Sequence, residues 1–285
     1  LFKIIKKHLE KQGKVEQILK DEEKYKDSSM EKKKEVFKEI HDLLGGNIKL
    51  FISGAASLEP SIEEKFRRLG FNMVQGYGLT ETSPVVAIGN KKYHKTGSIG
   101  KCVPSDEVKL LDINKDGIGE LAVKGPNVML EYYENKEATE KVLKDGWFQT
   151  GDLARIDEEG YIFICGRKKS VIVLKNGKNI FPEEMETLIN KEDGVEESFI
   201  FGKPISKDPN DIKIFVKIVY NKESFEGKTE TEIKEYFNEK IKSINKTMPH
   251  YKAIRGIIIS DKPLIKTTTN KIKREKNLEQ IIKEL

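Results

Sequence analysis

Apolar residues recur at helical spacing through the first 44 positions: Ile4, Ile5 and Leu9, then Val36, Phe37, Ile40, Leu43 and Leu44. Lys and Glu fill the places between them. The stretch is expected to form two amphipathic helices, broken near Asp27-Ser28-Ser29 and ended by Gly45-Gly46. The period then shortens. Ile48-Lys49-Leu50-Phe51-Ile52 reads as a buried strand and Ser53-Gly54-Ala55-Ala56 as a small-residue turn. Ser61 to Leu69 reads as a helix capped by Gly70, and Phe71 to Gln75 as a second strand. Strand, helix, strand in that order implies a parallel sheet, whose ligands bind at the carboxyl ends of strands. Both the Ser53–Ala56 turn and the segment QGYGLTET, residues 75–82, are expected at such ends.

From Gly97 to about Tyr161 the pattern is β, with turns at Asp116-Gly117, Asp145-Gly146 and Glu159-Gly160. Short strands at this spacing suggest a small barrel or curved sheet. After Gly166 the pattern changes again. A short strand at Val171-Ile172-Val173 leads to a helix near Pro182 to Asn190, then strands near Ser198 and Ile212, a helix from Glu230 to Asn245 and a strand near Ile257. The expected fold is α/β: a partial parallel sheet with helices plus a small β-barrel-like subdomain over residues 1–166, then a separate α+β domain over 167–285. The boundary is expected between Gly166 and Ser170.

Composition narrows the function classes. The 285 residues are 37% apolar and 35% charged, and Lys+Arg exceed Asp+Glu by 52 to 47, a formal +5. Both signs are interspersed, so the excess fits anionic ligands and marks no nucleic-acid patch. Cys102 and Cys165 lie in no CxxC and near no His cluster, which argues against a zinc site or a disulfide scaffold and fits a reducing cytoplasm. The longest apolar runs, such as Ile257-Ile258-Ile259, are too short to span a bilayer.

Three motif matches fail on inspection. Gly76-Tyr77-Gly78 begins a GxGxxG, but Glu81 holds the third glycine position, where a carboxylate would repel a pyrophosphate. Asp112 to Gly117 mimics half a calcium loop, but its twelfth position is Val123 in place of a bidentate Glu, so a hairpin turn is expected. Lys271-Ile272-Lys273-Arg274 is a basic tetrad of the kind usually found on a solvated face.

QGYGLTET carries more. Its glycines permit close approach to the backbone, Tyr77 offers a flat ring for a base, Thr80 a hydroxyl for a phosphate, and Glu81 a hard oxygen for Mg2+. Further along stand Trp147-Phe148-Gln149-Thr150-Gly151-Asp152-Leu153 and Gly166-Arg167-Lys168-Lys169. The Gly loop Lys175 to Asn179 then runs into Pro182-Glu183-Glu184-Met185-Glu186, and Lys271 follows near the carboxyl end. Alone, an Asp after Gly is usually a turn residue and a basic run a surface feature.

In this order, YGLTET, W-x-x-TGDL, GR-x-K with its Gly loop, P-x-E-x-E and a terminal lysine resemble the adenylate-forming acyl-CoA synthetase superfamily over essentially all of residues 46–285. The helices before LGGNIKLFISGAASLEP look most like the long-chain fatty acid branch. The resemblance implies an acid–thiol ligase that uses ATP, Mg2+ and coenzyme A. Tyr77 and Gly78 would meet adenine, with Gly54 and Ala55 on the other face. Thr80 would touch the α-phosphate, Glu81 would hold Mg2+, Asp152 would bind the ribose hydroxyls, and Arg167 ribose or phosphate. Lys169 would be the hinge between two half-reactions, Gly177 would line the path of the thiol, and Lys271 would reach the acyl carboxylate and the α-phosphate. The family's Ser/Thr/Gly-rich loop for the β- and γ-phosphates does not occur here, and the chain opens on Leu1. The resemblance therefore implies the C-terminal part of a longer enzyme, inactive alone and prone to self-association. A fatty acid substrate implies a cytoplasmic protein with peripheral contact at the inner membrane face. The alternatives are an aryl or short-chain acid–CoA ligase, or a non-catalytic adenylate-binding module. One departure is Asn270, where the family has Gly; Asn tolerates the left-handed backbone that a glycine there would adopt.

Overall fold

The computed structural model describes residues 2–54, 58–268 and 270–284. The chain divides into two compact units, Leu1–Ile164 and Cys165–Leu285.

In the first unit the N-terminal stretch forms four short helices among the described residues: α1 (Phe2–Lys11), α2 (Val15–Lys24), α3 (Met30–Val36) and α4 (Lys38–Leu43). Two helices were expected. The extra breaks fall at Gly13, whose φ of 65° ends α1, and at Phe37, which caps α3 and opens α4. The expected break does occur, and Ser29 caps α3 by accepting from the Lys32 amide. Ile5, Leu9, Phe37 and Ile40 bury against Phe66, Leu69 and Phe71.

β1 (Phe51–Ser53), α5 (Pro60–Arg68) and β2 (Met73–Gly78) follow, with β1 parallel to β2 in the register Phe51↔Met73. β3 (Val85–Ile88) and β4 (Lys101–Cys102) then join antiparallel, giving the order β1-β2-β3-β4. Within this sheet, among the described residues, the parallel pairing is thus confined to β1 and β2. β2 also runs further than expected, through Gly78, so the first half of QGYGLTET is strand rather than loop.

β5 (Glu107–Leu111), β6 (Gly119–Lys124), α6 (Lys136–Val142), β7 (Leu143–Lys144), β8 (Trp147–Ile156) and β9 (Ile162–Arg167) complete this unit up to Ile164 and carry the chain into the next. Their sheet has the order β5-β6-β8-β7, with β9 on β8. The β5–β6 turn is the expected hairpin, in which Asn114 Oδ1 accepts from the Asp116 and Ile118 amides. α6 was not expected in a region read as wholly β; Asn135 caps it through the Ala138 amide. Trp147 lies at the start of β8, with Lys109 Nζ 4.0 Å from its ring centroid.

The second unit continues with β10 (Ile172–Val173), β11 (Asn179–Ile180), α7 (Pro182–Ile189), β12 (Val195–Pro204), β13 (Ile212–Tyr220), α8 (Glu230–Thr247), β14 (Ile254–Ser260) and α9 (Arg274–Glu284). β13 is the middle strand, antiparallel to β12 and parallel to β14. One face of this sheet packs on α7 and α8 through Ile200, Val216, Ile218, Met185 and Phe237. Phe199, Phe201 and Val219 pack with Leu264 and with Ile281 of α9 on the other side. α9 was not expected. Its apolar positions are sparse in a Lys/Glu-rich run, and Ile281 is fully buried.

Candidate functional site

QGYGLTET bends back on itself. After β2, Thr80–Thr82 make one tight helical turn, Ser83 takes a φ of 51°, and the Leu79 amide donates to Pro84 O at 2.9 Å. Thr82, fully buried, holds this loop: its hydroxyl donates to Pro84 O and accepts from the Leu79 amide. A β-carbon on residue 78 would lie 1.6 Å from Pro84 O. Gly78 is therefore required by the fold-back itself, beyond any approach of a ligand. Gly76 is under no such constraint, because its β-carbon would meet ordinary contacts at 3.6 Å. The bend leaves Thr80 exposed and Glu81 half-buried at the tip.

Tyr77 Oη donates to Asp152 Oδ2 at 2.5 Å. Two expected site residues 75 positions apart are thus in contact. Asp152 is 4% exposed, and a bulge in β8 sets its position. At the bulge Gly151 has a φ of 71° and its amide donates to Glu120 Oε1. The buried Thr150 hydroxyl donates to Leu121 O and accepts from the Asp152 amide. Thr150-Gly151-Asp152 is accordingly a backbone device for presenting one carboxylate. An ionised carboxylate accepts several hydrogen bonds, so Asp152 can keep Tyr77 and still receive a ligand hydroxyl. Gly54 directly follows β1, and a β-carbon there would come within 3.6 Å of Gly76 O, so this glycine neighbours the Tyr77 strand. Ala55 lies outside the described residues.

Glu81 Oε1 accepts from Tyr132 Oη at 2.9 Å, and the Met129 amide donates to Glu81 O at 2.8 Å. Burial, and then the neighbouring Glu81 carboxylate, push the Tyr132 phenol up to about 12. Tyr132 was not singled out from sequence. It stands 51 residues from its partner, beyond the reach of any spacing rule. Among the described residues no cluster of three or more His, Cys, Asp or Glu forms a metal cage. A single half-buried carboxylate does fit Mg2+, which takes one or two protein carboxylates and draws its other ligands from phosphates and water.

The other expected residues lie in the second unit. Arg167 ends β9 and is exposed, and Lys169 is exposed in the single turn Lys168–Ser170. Gly177, φ 74°, makes the β10–β11 turn with its amide on Leu174 O. Lys178 beside it lies 3.9 Å from the Tyr251 ring centroid. Lys271 is exposed; its carbonyl accepts from the Thr267 amide and its amide donates to Thr267 Oγ1. Asn270 takes a φ of 61°, the left-handed conformation that Gly or Asn supplies most readily. Further along, Arg274 forms a double hydrogen bond with buried Glu186 of α7 and also donates to Ile200 O. This anchor fixes the chain three residues after Lys271.

Comparison with known proteins agrees in both units. Residues 10–133 match the family described as AMP-binding enzyme, and residues 169–285 match the AMP-binding enzyme C-terminal domain. The long-chain-fatty-acid–CoA ligase of Salmonella typhimurium is 38% identical over 187 residues, 63% of this chain and 33% of that protein. The chain thus spans about a third of the length of the curated relatives it matches. O-succinylbenzoate coenzyme A synthetase of Bacillus subtilis, solved with ATP and magnesium, superposes with a TM-score of 0.67 at 27% identity, over 81% of this chain and 46% of that one. The same synthetase with its acyl-adenylate intermediate gives 0.67 at 26%, over 82% and 48%.

Proposed function

The chain belongs to the adenylate-forming superfamily of AMP-binding enzymes, and from that premise we propose that it is part of an acid–CoA ligase acting on long-chain fatty acids. The reaction is a carboxylic acid plus ATP to acyl-adenylate and pyrophosphate, followed by thioester formation with coenzyme A and release of AMP. In this reading Tyr77 stacks on adenine beside Gly54, Asp152 accepts the ribose hydroxyls, Thr80 donates to the α-phosphate, and Arg167 steadies ribose or phosphate. Lys271 brings a mobile point charge between two anions, the acid and the α-phosphate, whose mutual repulsion otherwise raises the barrier. Mg2+, held by Glu81, supplies further counter-charge when bound. Lys169 is the pivot by which the second unit serves the two half-reactions in turn, with the Gly177 loop along the thiol's path. A fatty acid substrate brings the enzyme to a membrane surface as a peripheral visitor. The outer edge of β1, with Leu50 and Ile52 exposed, favours self-association.

The observation that carries the nucleotide reading is the Tyr77–Asp152 hydrogen bond, which joins the proposed base and ribose contacts. Calorimetry tests it. Asp152→Ala is expected to weaken AMP by about tenfold, the value of a charged hydrogen-bond partner, and to do so more than Lys271→Ala does. Equal affinity for wild type and Asp152→Ala removes the ribose assignment. The fatty acid rests on identity to the Salmonella ligase. Similarity to the O-succinylbenzoate enzyme supports an aryl acid as the second reading. Thioester formation by the full-length gene product, assayed with long-chain, short-chain and aryl acids, decides between them.

A further inference from the structure

We propose that Tyr132 is a positioning residue that caps one oxygen of Glu81 and so makes the site select Mg2+ over Ca2+; this rests on the reading of Glu81 as the metal-holding residue. The phenol donates to Oε1 at 2.9 Å, and among the described residues this is the hydrogen bond on the carboxylate. Oε2 is left for a cation.

The cap is itself held. The Tyr132 amide donates to Thr139 Oγ1 at 2.9 Å, and that hydroxyl donates to Asn135 O at the start of α6. At the other end of the loop, Asn127 Nδ2 donates to Val85 O and to Asp106 Oδ2. The same loop grips the Glu81 backbone through the Met129 amide. Leu130 and Tyr133 point outward, 93% and 87% exposed, while Tyr132 between them turns in. Main chain and side chain of Glu81 are therefore both fastened to one braced segment.

The chemistry of the two ions differs at this point. Mg2+ requires near-octahedral geometry with each carboxylate giving one oxygen, whereas Ca2+ accepts and often uses both oxygens of a glutamate. A carboxylate with one oxygen tied to a phenol meets the first demand and resists the second. Loss of the phenol hydroxyl frees Oε1 and favours the larger ion.

The test is Mn2+ binding to the 285-residue chain in the presence of AMP, read from the electron paramagnetic resonance of free Mn2+ and displaced by Mg2+ or by Ca2+. Tyr132→Phe keeps the ring and its packing. It is expected to lower the Mg2+/Ca2+ preference about fivefold, the size of one ordinary hydrogen bond, mainly by strengthening Ca2+. A Tyr132→Phe chain whose preference is unchanged, or which loses both ions equally, overturns the proposal. Glu81→Gln separates the two levels. If it leaves Mn2+ binding intact, the metal assignment of Glu81 fails. If it abolishes binding while Tyr132→Phe leaves the ratio untouched, the assignment stands and the capping role falls. Absence of AMP-dependent Mn2+ binding by the wild-type chain overturns both.

Discussion

His41 sits 3% exposed among the N-terminal helices, stacked on Phe71 with ring centroids 3.8 Å apart. Its Nε2 lies 2.9 Å from Leu69 O, and a carbonyl can only accept, so Nε2 carries the proton. Burial first, with help from Lys34, holds its pKa below the usual value; the Leu69 carbonyl and Asp42 pull the other way. The sign of the consequence follows. Between the folded and the unfolded pKa the unfolded chain binds more protons, so stability is full above about pH 6.5 and declines as pH falls below it. The slope for one proton cannot exceed about 1.4 kcal/mol per pH unit. Urea midpoints taken from about pH 7.5 to about pH 5.5 are expected to fall more steeply in wild type than in His41→Phe; parallel slopes would remove His41 as the cause. Nothing in the sequence marked this histidine, because its partners Leu69 and Phe71 lie in the connection between α5 and β2 and no local period connects them to it. Asn270 was legible, since its conformation depends on its own φ and on little else. Tyr77, Glu81 and Asp152 stand out in the sequence as residue types, while the contacts between them and to others, such as Tyr132 on Glu81, do not.

Elements with a strong local signature were read correctly. α7 begins on Pro182 with Glu183 and Glu184 in its first turn, and α8 opens on a reciprocal cap between Thr229 and Glu232. α6 has a cap, Asn135, and a first-turn acid, Glu137, but only seven residues and no Pro start or reciprocal cap; α9 has a first-turn acid, Glu275, but few apolar positions. α9 depends on distant anchors, chief among them Arg274, which ties its start to Glu186 of α7 and to β12. Glu186 is 7% exposed and also accepts from the Ile200 amide at 2.7 Å. Truncation of one partner strands a buried charge, so Arg274→Met is expected to cost about 3 kcal/mol or more in denaturant unfolding. The double change Arg274→Met with Glu186→Gln removes that charge and is expected to regain much of the loss. A single variant within about 0.5 kcal/mol of wild type would show the pair to be energetically idle. The same lesion frees the chain three residues beyond Lys271, so loop order and helix stability are coupled here.

At the scale of the whole molecule, each unit carries its own cores: the helical cluster around Phe37 and Phe71 and the strand cluster around Leu121 and Ile162 in the first, the two faces of the β12–β13–β14 sheet in the second. Apolar period, a local property, suggests a change of pattern after Gly166, and the two compact units divide between Ile164 and Cys165. Pairings across 51 to 88 residues, such as Glu81 with Tyr132 or Glu186 with Arg274, leave no periodic trace. The chain has one tryptophan, Trp147, and it belongs to the first unit. Its fluorescence is therefore an optical label for half of the protein, blind to the other, whereas far-ultraviolet dichroism averages both. Under rising urea the emission and dichroism traces are expected to separate if each core melts by its own law, and to superimpose if the units melt as one. The lone indole, packed under Lys109, turns an ordinary spectrometer into a detector of which half has come apart.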